Sequence, residues 1–428
     1  MRSVVKKPAS GEAVSRLADQ LFRRESGRLV SVLTGIFGVH RLQMAEDVVQ
    51  EALARALKTW PFHGIPDNPA AWLMQTARNL AIDRIRRERR FQEKEAAIIT
   101  ELEQRMPETA GPLFEDEIKD ARLRMMFACC HPVLPLEMQT ALALKVLGGF
   151  SPGEIAHAFL TSEAAIAKRL TRARQRLQEE TIRFEIPSGP ELAPRLDGVL
   201  QTLYLLFNEG YKASCGDRTV REELCREAIR LATLLTKHPL VDQPRVHALL
   251  ALVLLNSARL PARTDSVGNI LRLDEQDRTL WNRSTIQRGI FHLTYASGGD
   301  SLSEYHLQAG IAACHCLAPD DASTDWPRIL SLYDHLTELN DSPVIALNRA
   351  VAVGKVHGPK RAIAEVERLL ARAPLDSYYL THAVLGDFAE QRNAPGEAAI
   401  HFQNALRLTD LTPEKEFLQR RLRRSVND

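Results

Sequence analysis

The strongest constraint on this chain lies between residues 151 and 176, where SPGEIAHAFLTSEAAIAKRLTRARQR predicts two helices joined by a tight turn. Ser151 precedes Pro152, and Glu154 stands three positions after Ser151, which is the pattern of a capping box at a helix start. Glu163 falls in the first turn of the second helix, where the helix N-terminus favours a carboxylate. The segment therefore has the organisation of a helix-turn-helix.

The second of these helices combines an apolar stripe with a basic face. The residues expected on the apolar side of the pair are Ile155, Ala156, Phe159, Leu160, Ile166 and Leu170. Five cations and no acid occupy residues 168–176. A helix-turn-helix places its second helix in a DNA major groove, with cations on phosphates. A plain helical hairpin with a solvated basic face explains the same pattern, so the motif alone leaves both interpretations open.

Length and composition indicate an ordinary globular chain of more than one domain. The sequence has 428 residues, of which 45% are hydrophobic and 26% are charged. We see no apolar run long enough to cross a membrane, and the N-terminus MRSVVKKPASGEA lacks the apolar centre of a signal peptide. These features predict a cytoplasmic protein without membrane association.

The cysteines do not favour a disulfide framework or a metal site. There are six in 428 residues, at positions 129, 130, 215, 225, 314 and 316. The runs Cys129-Cys130-His131 and Cys314-His315-Cys316 lack the spacing of a zinc site and lie in apolar helical surroundings. We therefore expect buried free thiols, no metal and no cofactor.

Positive charge is concentrated in clusters of the N-terminal part. Residues 1–180 carry 27 Lys and Arg against 23 Asp and Glu, whereas residues 181–428 carry 29 against 31. Any nucleic-acid contact must therefore come from local clusters.

Two patterned segments precede the helix-turn-helix. The first, MAEDVVQEALARALKTW, has one apolar stripe that includes Leu57, and its polar positions Asp47, Gln50 and Glu51 lie away from the stripe. The second, AAWLMQTARNLAIDRIRRERR, has a basic far end, and Trp72 is expected in its core. The intervening PFHGIPDNPA, rich in proline, predicts an irregular exposed loop. A solvated face and a docking surface both explain the polar positions of the first segment.

The order of these parts resembles the extracytoplasmic-function (ECF) group of bacterial sigma factors. The two upstream segments resemble sigma region 2, and the segment ending RLTRARQRL resembles sigma region 4. The resemblance implies an all-α protein with a region 2-like domain over residues 1–90, a linker over 91–119 and a region 4-like domain over 120–185. A larger helical domain would follow over residues 186–428.

The resemblance also implies roles for individual residues. The positions that match the polymerase-docking surface are Asp47, Gln50 and Glu51. In the family this surface docks on the β′ clamp helices of core RNA polymerase, and the resemblance implies the β subunit as a further partner. Those matching the −10 DNA contacts are Phe62, His63, Arg78, Asn79, Arg84, Arg86 and Arg87. Those matching the −35 recognition helix are Ser162, Glu163, Ala165, Lys168, Arg169, Arg172, Arg174 and Arg176. The partners implied are core RNA polymerase and promoter DNA.

The last part of the chain is helical in pattern and contains a repeat. Small and apolar residues at Leu385, Gly386, Ala398, Phe402 and Ala405 have the spacing of tetratricopeptide (TPR) repeats, and a degenerate copy lies 36 residues earlier at Arg349, Ala350, Ala362, Val366 and Leu369. The motifs FNEGY and QDRTLW together with this end resemble the ECF subgroup that has a C-terminal TPR-type extension. We expect regulatory or interdomain roles for Asn208, Glu209, Tyr211, Asp277, Arg278 and Trp281, and a protein or peptide regulator as a further partner. Buried pairs that fix helix packing explain the same residues.

Three functions agree with the sequence to different degrees. A sigma factor controlled by its C-terminal domain explains both basic helices. A helix-turn-helix regulator with a helical ligand-binding domain explains only the second of them. An enzyme using Glu209 or Asp274 with His247 lacks any nucleotide, metal or nucleophile motif. We therefore predict a non-enzymatic protein that directs promoter recognition.

Overall fold

The computed structural model describes residues 29–30, 32–33, 42–89, 118, 120–179, 187, 189–214, 220–266, 268–372 and 375–427. Within these ranges every extended regular element is a helix, and the only strand-like pairing is an antiparallel bridge between Thr264 and Ile270. The predicted all-α class is confirmed. The chain divides into two compact units, Met1–Thr202 with His238–Leu240, and Leu203–Lys237 with Val241–Asp428.

The first two helices of the first unit with described bounds are α1 (Leu42–His63) and α2 (Pro69–Arg89), which pack on each other. The apolar stripe of α1 is buried except at Leu57, which is 43% exposed because it lies at the edge of the stripe. Trp60 meets Trp72 edge-on, with ring centroids 5.5 Å apart. The prediction of an irregular loop over residues 61–70 is wrong at both ends, because α1 continues through Pro61 to His63 and α2 begins at Pro69. Only residues 64–68 lie outside the two helices.

In the part of the first unit that the structure describes after α2, four helices precede residue 180: α3 (Ala121–Cys129), α4 (Leu136–Gly148), α5 (Pro152–Ala158) and α6 (Glu163–Glu179). The capping box at the start of α5 is present, since Ser151 accepts from the Glu154 amide and Glu154 accepts from the Ser151 amide. Ile166 on α6 is fully buried against the rest of this group.

In the turn between α5 and α6, one residue that was expected on the buried apolar face is exposed. Leu160 is 56% exposed and has a φ of +49°, a backbone conformation that costs an L-residue other than glycine about 1–2 kcal/mol. Its side chain therefore points away from the core, and the prediction that it packs beside Ile155 and Ala156 is wrong. The strained backbone allows the tight reversal that places α6 against α4.

The continuous part of the first unit ends within α7 (Leu196–Tyr211), which follows a 3₁₀ turn at Gly189–Arg195, and His238–Leu240 complete the unit. The buried Arg195 donates to the carbonyl of Phe127 at 3.2 Å, and Thr140 donates to Gln201 at 3.1 Å. A Cβ on Gly198 would lie 2.8 Å from the Cys130 Sγ, closer than real Cβ contacts. The start of α7 is thus built into the region that contains the helix-turn-helix.

Among its described residues, the second unit contains the end of α7 and ten α-helices. They are α8 (Glu222–Leu235), α9 (Pro244–Ser257), α10 (Arg283–Ala296), α11 (Glu304–Leu317), α12 (Trp326–Leu339), α13 (Pro343–His357), α14 (Pro359–Leu370), α15 (Tyr379–Gln391), α16 (Pro395–Leu408) and α17 (Thr412–Asn427). Consecutive helices from α11 to α17 pack on one another. Gly386 permits the closest approach in the last pairs, because a Cβ there would lie 2.6 Å from the Phe402 ring.

The positions of the sequence repeat fall on these packed helices. Those that are buried are Ala350, Ala362, Val366, Leu385, Gly386, Ala398, Phe402 and Ala405. Arg349 instead pairs with Asp334 at 2.6 Å and Glu365 at 2.7 Å. No helix among the described residues is both long enough and apolar enough to cross a bilayer.

Candidate nucleic-acid interface

The exposed side of α6 carries part of the predicted DNA-binding set. Ser162 accepts a hydrogen bond from the Ala165 amide at 3.2 Å, so the helix is capped immediately before Glu163. Lys168, Arg172 and Arg176 are exposed at intervals of four residues, which places them along one face. This face presents three cations on the side opposite the buried stripe.

Arg169 lies at the edge of α6 and has intramolecular partners. Its guanidinium pairs with Glu137 of α4 at 2.7 Å and stands over the Phe159 ring, 5.3 Å from the centroid. Its side chain is only 23% exposed. The contacts that hold Arg169 link α6 to α4 and to the end of α5.

Arg174 also points inward and meets a residue distant in sequence. Its guanidinium donates to Glu46 of α1 at 2.7 Å. Burial raises the pKa of the Glu46 carboxyl, while the nearby charges of Arg174 and Lys145 oppose that shift. The five cations of α6 therefore separate into three exposed ones and two held in ion pairs.

On α1, the three predicted polymerase-docking residues do not share one environment. Gln50 is exposed, whereas Asp47 and Glu51 are half-buried. Arg84 of α2 donates to Asp47 at 3.1 Å and lies 3.6 Å from Glu51. Glu51 also accepts from Arg55 at 3.0 Å. The acidic surface is therefore partly neutralised by a residue that the resemblance associates with −10 DNA.

The remaining predicted −10 residues lie around the end of α1 and along α2. Phe62 is 80% exposed and His63 is also exposed, beside the short connection to α2. On α2, Asn79 and Arg86 are exposed and Arg78 is half-buried. The side chain of Arg87 lies outside the described residues. The exposed ring of Phe62 is suited to stack on an unstacked base, and the exposed cations of α2 are suited to contact a nucleic-acid backbone.

In the second unit, Glu209 is buried and paired with Arg221 at 3.2 Å. Both Glu209 oxygens also accept from the Ser214 amide, at 3.1 and 3.2 Å. No sequence motif indicated a role for Arg221. Its buried contact with Glu209, twelve residues earlier, shows that it is part of this site.

Arg278 and Trp281 are likewise buried among backbone and aromatic groups. Arg278 donates to the carbonyls of His315 and Ala318, both at 2.8 Å. Two guanidinium groups stand over the Trp281 ring, Arg278 at 4.9 Å and Arg259 at 5.4 Å from its centroid. These contacts hold the 3₁₀ turn before α10 against the end of α11.

The other predicted C-terminal residues are less deeply placed. Tyr211 is half-buried, stacks on Phe207 and lies under the guanidinium of Arg263, which is 3.9 Å from the ring centroid. Asp277 is exposed and accepts from the Thr279 amide, and Asn208 is half-buried.

A buried polar cluster that the sequence analysis missed joins α7 to the end of the chain. Lys212 donates to the Tyr379 hydroxyl at 2.6 Å and lies 2.9 Å from Glu414. Glu414 also accepts hydrogen bonds from Tyr379 and Thr409. Burial and the Glu414 charge raise the pKa of Tyr379. Residues separated by up to two hundred positions form this cluster, so no local pattern could reveal it.

The residues considered for an enzyme are each engaged elsewhere. His247 lies 2.8 Å from His292 and 2.7 Å from Asp242, and burial lowers the pKa of His292 to about 4. Glu209 has Arg221 as an ion-pair partner, and Asp274 has Arg272. Among the described residues there is no group of three or more side chains able to hold a metal ion.

The thiols are free in the part of the chain that the structure describes. Four are buried, and Cys314 is half-buried. Burial raises the pKa of Cys130 and of Cys225 to about 12, which keeps both thiols protonated. Cys215 lies outside the described residues.

Comparisons with known families match three consecutive parts of the chain. Sigma-70 region 2 matches residues 21–91, sigma-70 region 4 matches residues 124–177, and a family of unknown function, DUF6596, matches residues 195–297. The chain is also 40% identical over 386 residues to the uncharacterized protein R00370 of Rhizobium meliloti (strain 1021), covering 89% of this chain and 90% of that protein. No solved structure matches.

Both sigma regions thus occur in the order expected of a promoter-recognition subunit, and the helical part that follows is matched by the family of unknown function over its first hundred residues. The relative extends along nearly the whole chain, including the extension. The chain therefore belongs to the ECF-like sigma factors that carry a C-terminal extension.

Proposed function

We propose that this sigma factor binds core RNA polymerase through the exposed side of α1 and that α6 reads the −35 element. The observation that carries the proposal is the capped helix α6 with its three exposed cations. In the chain it follows α1 and α2, the two helices of region 2. Sigma factors belong to a non-enzymatic family. The proposed role requires no catalytic residue and implies a protein that works in the cytoplasm.

The −35 contacts divide according to the environments of the cations. Lys168, Arg172 and Arg176 are the residues we assign to direct DNA contact, because they are exposed along one face of α6. Ser162, Glu163 and Ala165 lie at its N-terminal end, where a recognition helix meets base edges. Arg169 and Arg174 contact DNA only after they leave their present acidic partners.

The −10 and polymerase contacts are assigned to the two helices of region 2. Phe62 and His63 are exposed at the C-terminal end of α1, and we assign them to the stacking of a flipped base. Arg78, Asn79, Arg84, Arg86 and Arg87 are assigned to the DNA backbone. Gln50, Asp47 and Glu51 are assigned to the β′ clamp helices, and docking on a basic partner would compete with Arg84 for the two acids.

We assign a controlling role to the C-terminal extension. Its first helix, α7, begins in the region 4 core through Arg195, Gly198 and Gln201, and its second half belongs to the second unit. A TPR-type stack of helices would offer a concave surface to a protein or peptide regulator. Asn208, Glu209, Tyr211, Asp277, Arg278 and Trp281 would then act by maintaining that domain.

Reconstitution with core polymerase tests the sigma function. We expect run-off transcripts from a promoter recovered with the holoenzyme, and loss of that promoter choice when Lys168 and Arg172 are both changed to alanine. A helix-turn-helix regulator would instead bind DNA alone and leave the promoter choice of core polymerase unchanged. That outcome would refute the proposal.

Substitution Gly198→Ala tests control by the extension. The new Cβ would lie 2.3 Å from the Gln139 Oε1 and 2.8 Å from the Cys130 Sγ, so either α7 or these two side chains of region 4 must move. We expect altered transcript yield from an unchanged promoter. Gly396→Ala is the matched control, because no atom lies within 4 Å of its added Cβ. Equal yields from both variants would contradict the controlling role.

A further inference from the structure

Glu46 is a buried acidic residue that forms an ion pair between the two sigma regions. It lies on α1 of region 2, is 8% exposed and bonds Arg174 on the recognition helix α6 of region 4 at 2.7 Å. The ionisable groups that act on it are Arg174 of α6, Lys145 of α4, Asp47 of α1 and the buried thiol Cys129 of α3. A buried carboxylate and a cation of the recognition helix thus join the two DNA-binding regions.

The ion pair leaves part of the hydrogen-bonding capacity of both side chains unused. Among the described residues, Glu46 Oε1 and Arg174 Nε are buried without a hydrogen-bond partner. A buried polar atom without a partner carries a desolvation cost that the single bond does not return in full. Such a pair contributes little to permanent stability, and it can open when a better partner, such as a phosphate for Arg174, becomes available.

The promoter requires the two regions to separate. The names of the −10 and −35 elements place them about 25 base pairs apart, which is roughly 85 Å along duplex DNA at 3.4 Å per base pair. Glu46 and Arg174 are in contact in this structure, so α1 and α6 are not spaced for both elements. The 29 residues from 91 to 119 would reach at most about 100 Å if fully extended, which is enough for such a separation.

We propose that the Glu46–Arg174 ion pair is an autoinhibitory contact that holds the recognition helix against region 2 in the free protein and breaks when the protein engages a promoter. It withdraws one cation from the DNA-binding face and keeps the two regions at the wrong spacing. The proposal rests on the proposed function of α6 in DNA binding. Glu46 itself is outside the sets assigned to polymerase and DNA.

The first test measures the distance between the regions in the full chain. Spin labels are attached at the exposed positions Ala54 on α1 and Gln175 on α6. Cys215 and Cys314 are changed to serine so that they are not labelled. Double electron–electron resonance then measures the distance between the two labels and the fraction of molecules in which the regions are apart. Glu46→Gln keeps the size of the side chain but leaves Arg174 without its counter-charge, and we expect the open fraction to rise roughly tenfold. Glu46→Lys combined with Arg174→Glu should restore the short distance.

A matched control separates opening from the release of a cation. Glu137→Gln frees Arg169 on the same helix but removes a contact within region 4 only. This variant should keep the wild-type distance. A longer distance in Glu137→Gln, or the wild-type distance in Glu46→Gln, would overturn the proposal.

The second test measures binding of the free protein to a short duplex of mixed sequence as salt is varied. The apparent affinity scales with the binding-competent fraction, so Glu46→Gln should bind up to tenfold more tightly than wild type. Release of Arg174 should steepen the dependence of log K on log salt concentration by about 0.9. Adding Arg174→Ala should abolish that increment while leaving the regions open.

Lys168→Ala distinguishes failure of the contact from failure of the proposed function. If it weakens DNA binding while Glu46→Gln has no effect on affinity or distance, α6 binds DNA and the autoinhibitory contact is refuted. If neither substitution changes DNA binding, the assignment of α6 is wrong and inhibition of DNA binding fails with it.

Discussion

The ion pair between Glu209 and Arg221 offers a sharp test of how the second unit is stabilised. The two side chains are 4% and 6% exposed and lie 3.2 Å apart. Glu209→Gln preserves an oxygen for the Ser214 amide but leaves the Arg221 charge buried. Removing one member of a buried pair costs about 3–5 kcal/mol.

A second acid limits the loss. Glu223 lies 3.8 Å from Arg221 but is 55% exposed, so it compensates by at most about 1 kcal/mol. We therefore expect the free energy of unfolding of the second unit to fall by about 2–4 kcal/mol. For a unit of this size that corresponds to a Tm lower by roughly 6–12 °C.

Thermal unfolding of the full chain, followed by circular dichroism, measures this shift. Glu223→Gln is the matched control, because it removes the exposed acid beside the same arginine, and its expected effect is below about 1 kcal/mol. Equal shifts for the two variants would show that burial does not decide the strength of the Glu209 contact, and the reasoning would be refuted.

Three further predictions concern the two units separately. Alanine at Lys168 or Arg172 should each reduce the salt dependence of promoter binding, d log K/d log salt, by about 0.9, and an unchanged slope would remove that residue from the phosphate contacts. Leu160→Gly should raise the free energy of unfolding of the first unit by about 0.5–1 kcal/mol by relieving its positive φ, and a denaturant series in which Leu160→Ala gains as much would contradict this cause. Burial and neighbouring cations lower the pKa of His315 from 6.5 to about 3, so the unfolded chain binds the proton first as the pH falls. His315 alone should remove about 2 kcal/mol from the free energy of unfolding of the second unit between about pH 7.5 and about pH 5, beside a separate loss from His292, and a urea midpoint as pH-dependent in His315→Gln as in wild type would refute it.

Local signals in the sequence predicted the elements that local energetics decide. Ser151, Pro152 and Glu154 specify the start of α5 because each contact of the capping box lies within three residues. The buried stripe of α6 follows from helical spacing in the same way. The loop after α1 was predicted too long, since Pro61 is tolerated within the last turn of a helix that Gly64 then ends with a φ of +79°.

The environments of the candidate DNA-binding residues were not predictable in this way. Lys168 and Arg174 look equivalent in sequence, yet one is exposed and the other meets Glu46, which lies 128 residues earlier. The pairing of Asp47 with Arg84 also depends on how two helices pack. Such contacts arise from tertiary packing, which a single sequence does not encode in any local pattern.

Sequencing of the DNA retained by the protein together with core RNA polymerase tests the central claim most directly. The account predicts fragments that share two elements, one near position −10 and one near position −35, and enrichment of the −35 element that disappears when Lys168 and Arg172 are changed to alanine. Recovery of the same fragments by the protein without core polymerase, or fragments with a single shared element, would contradict it.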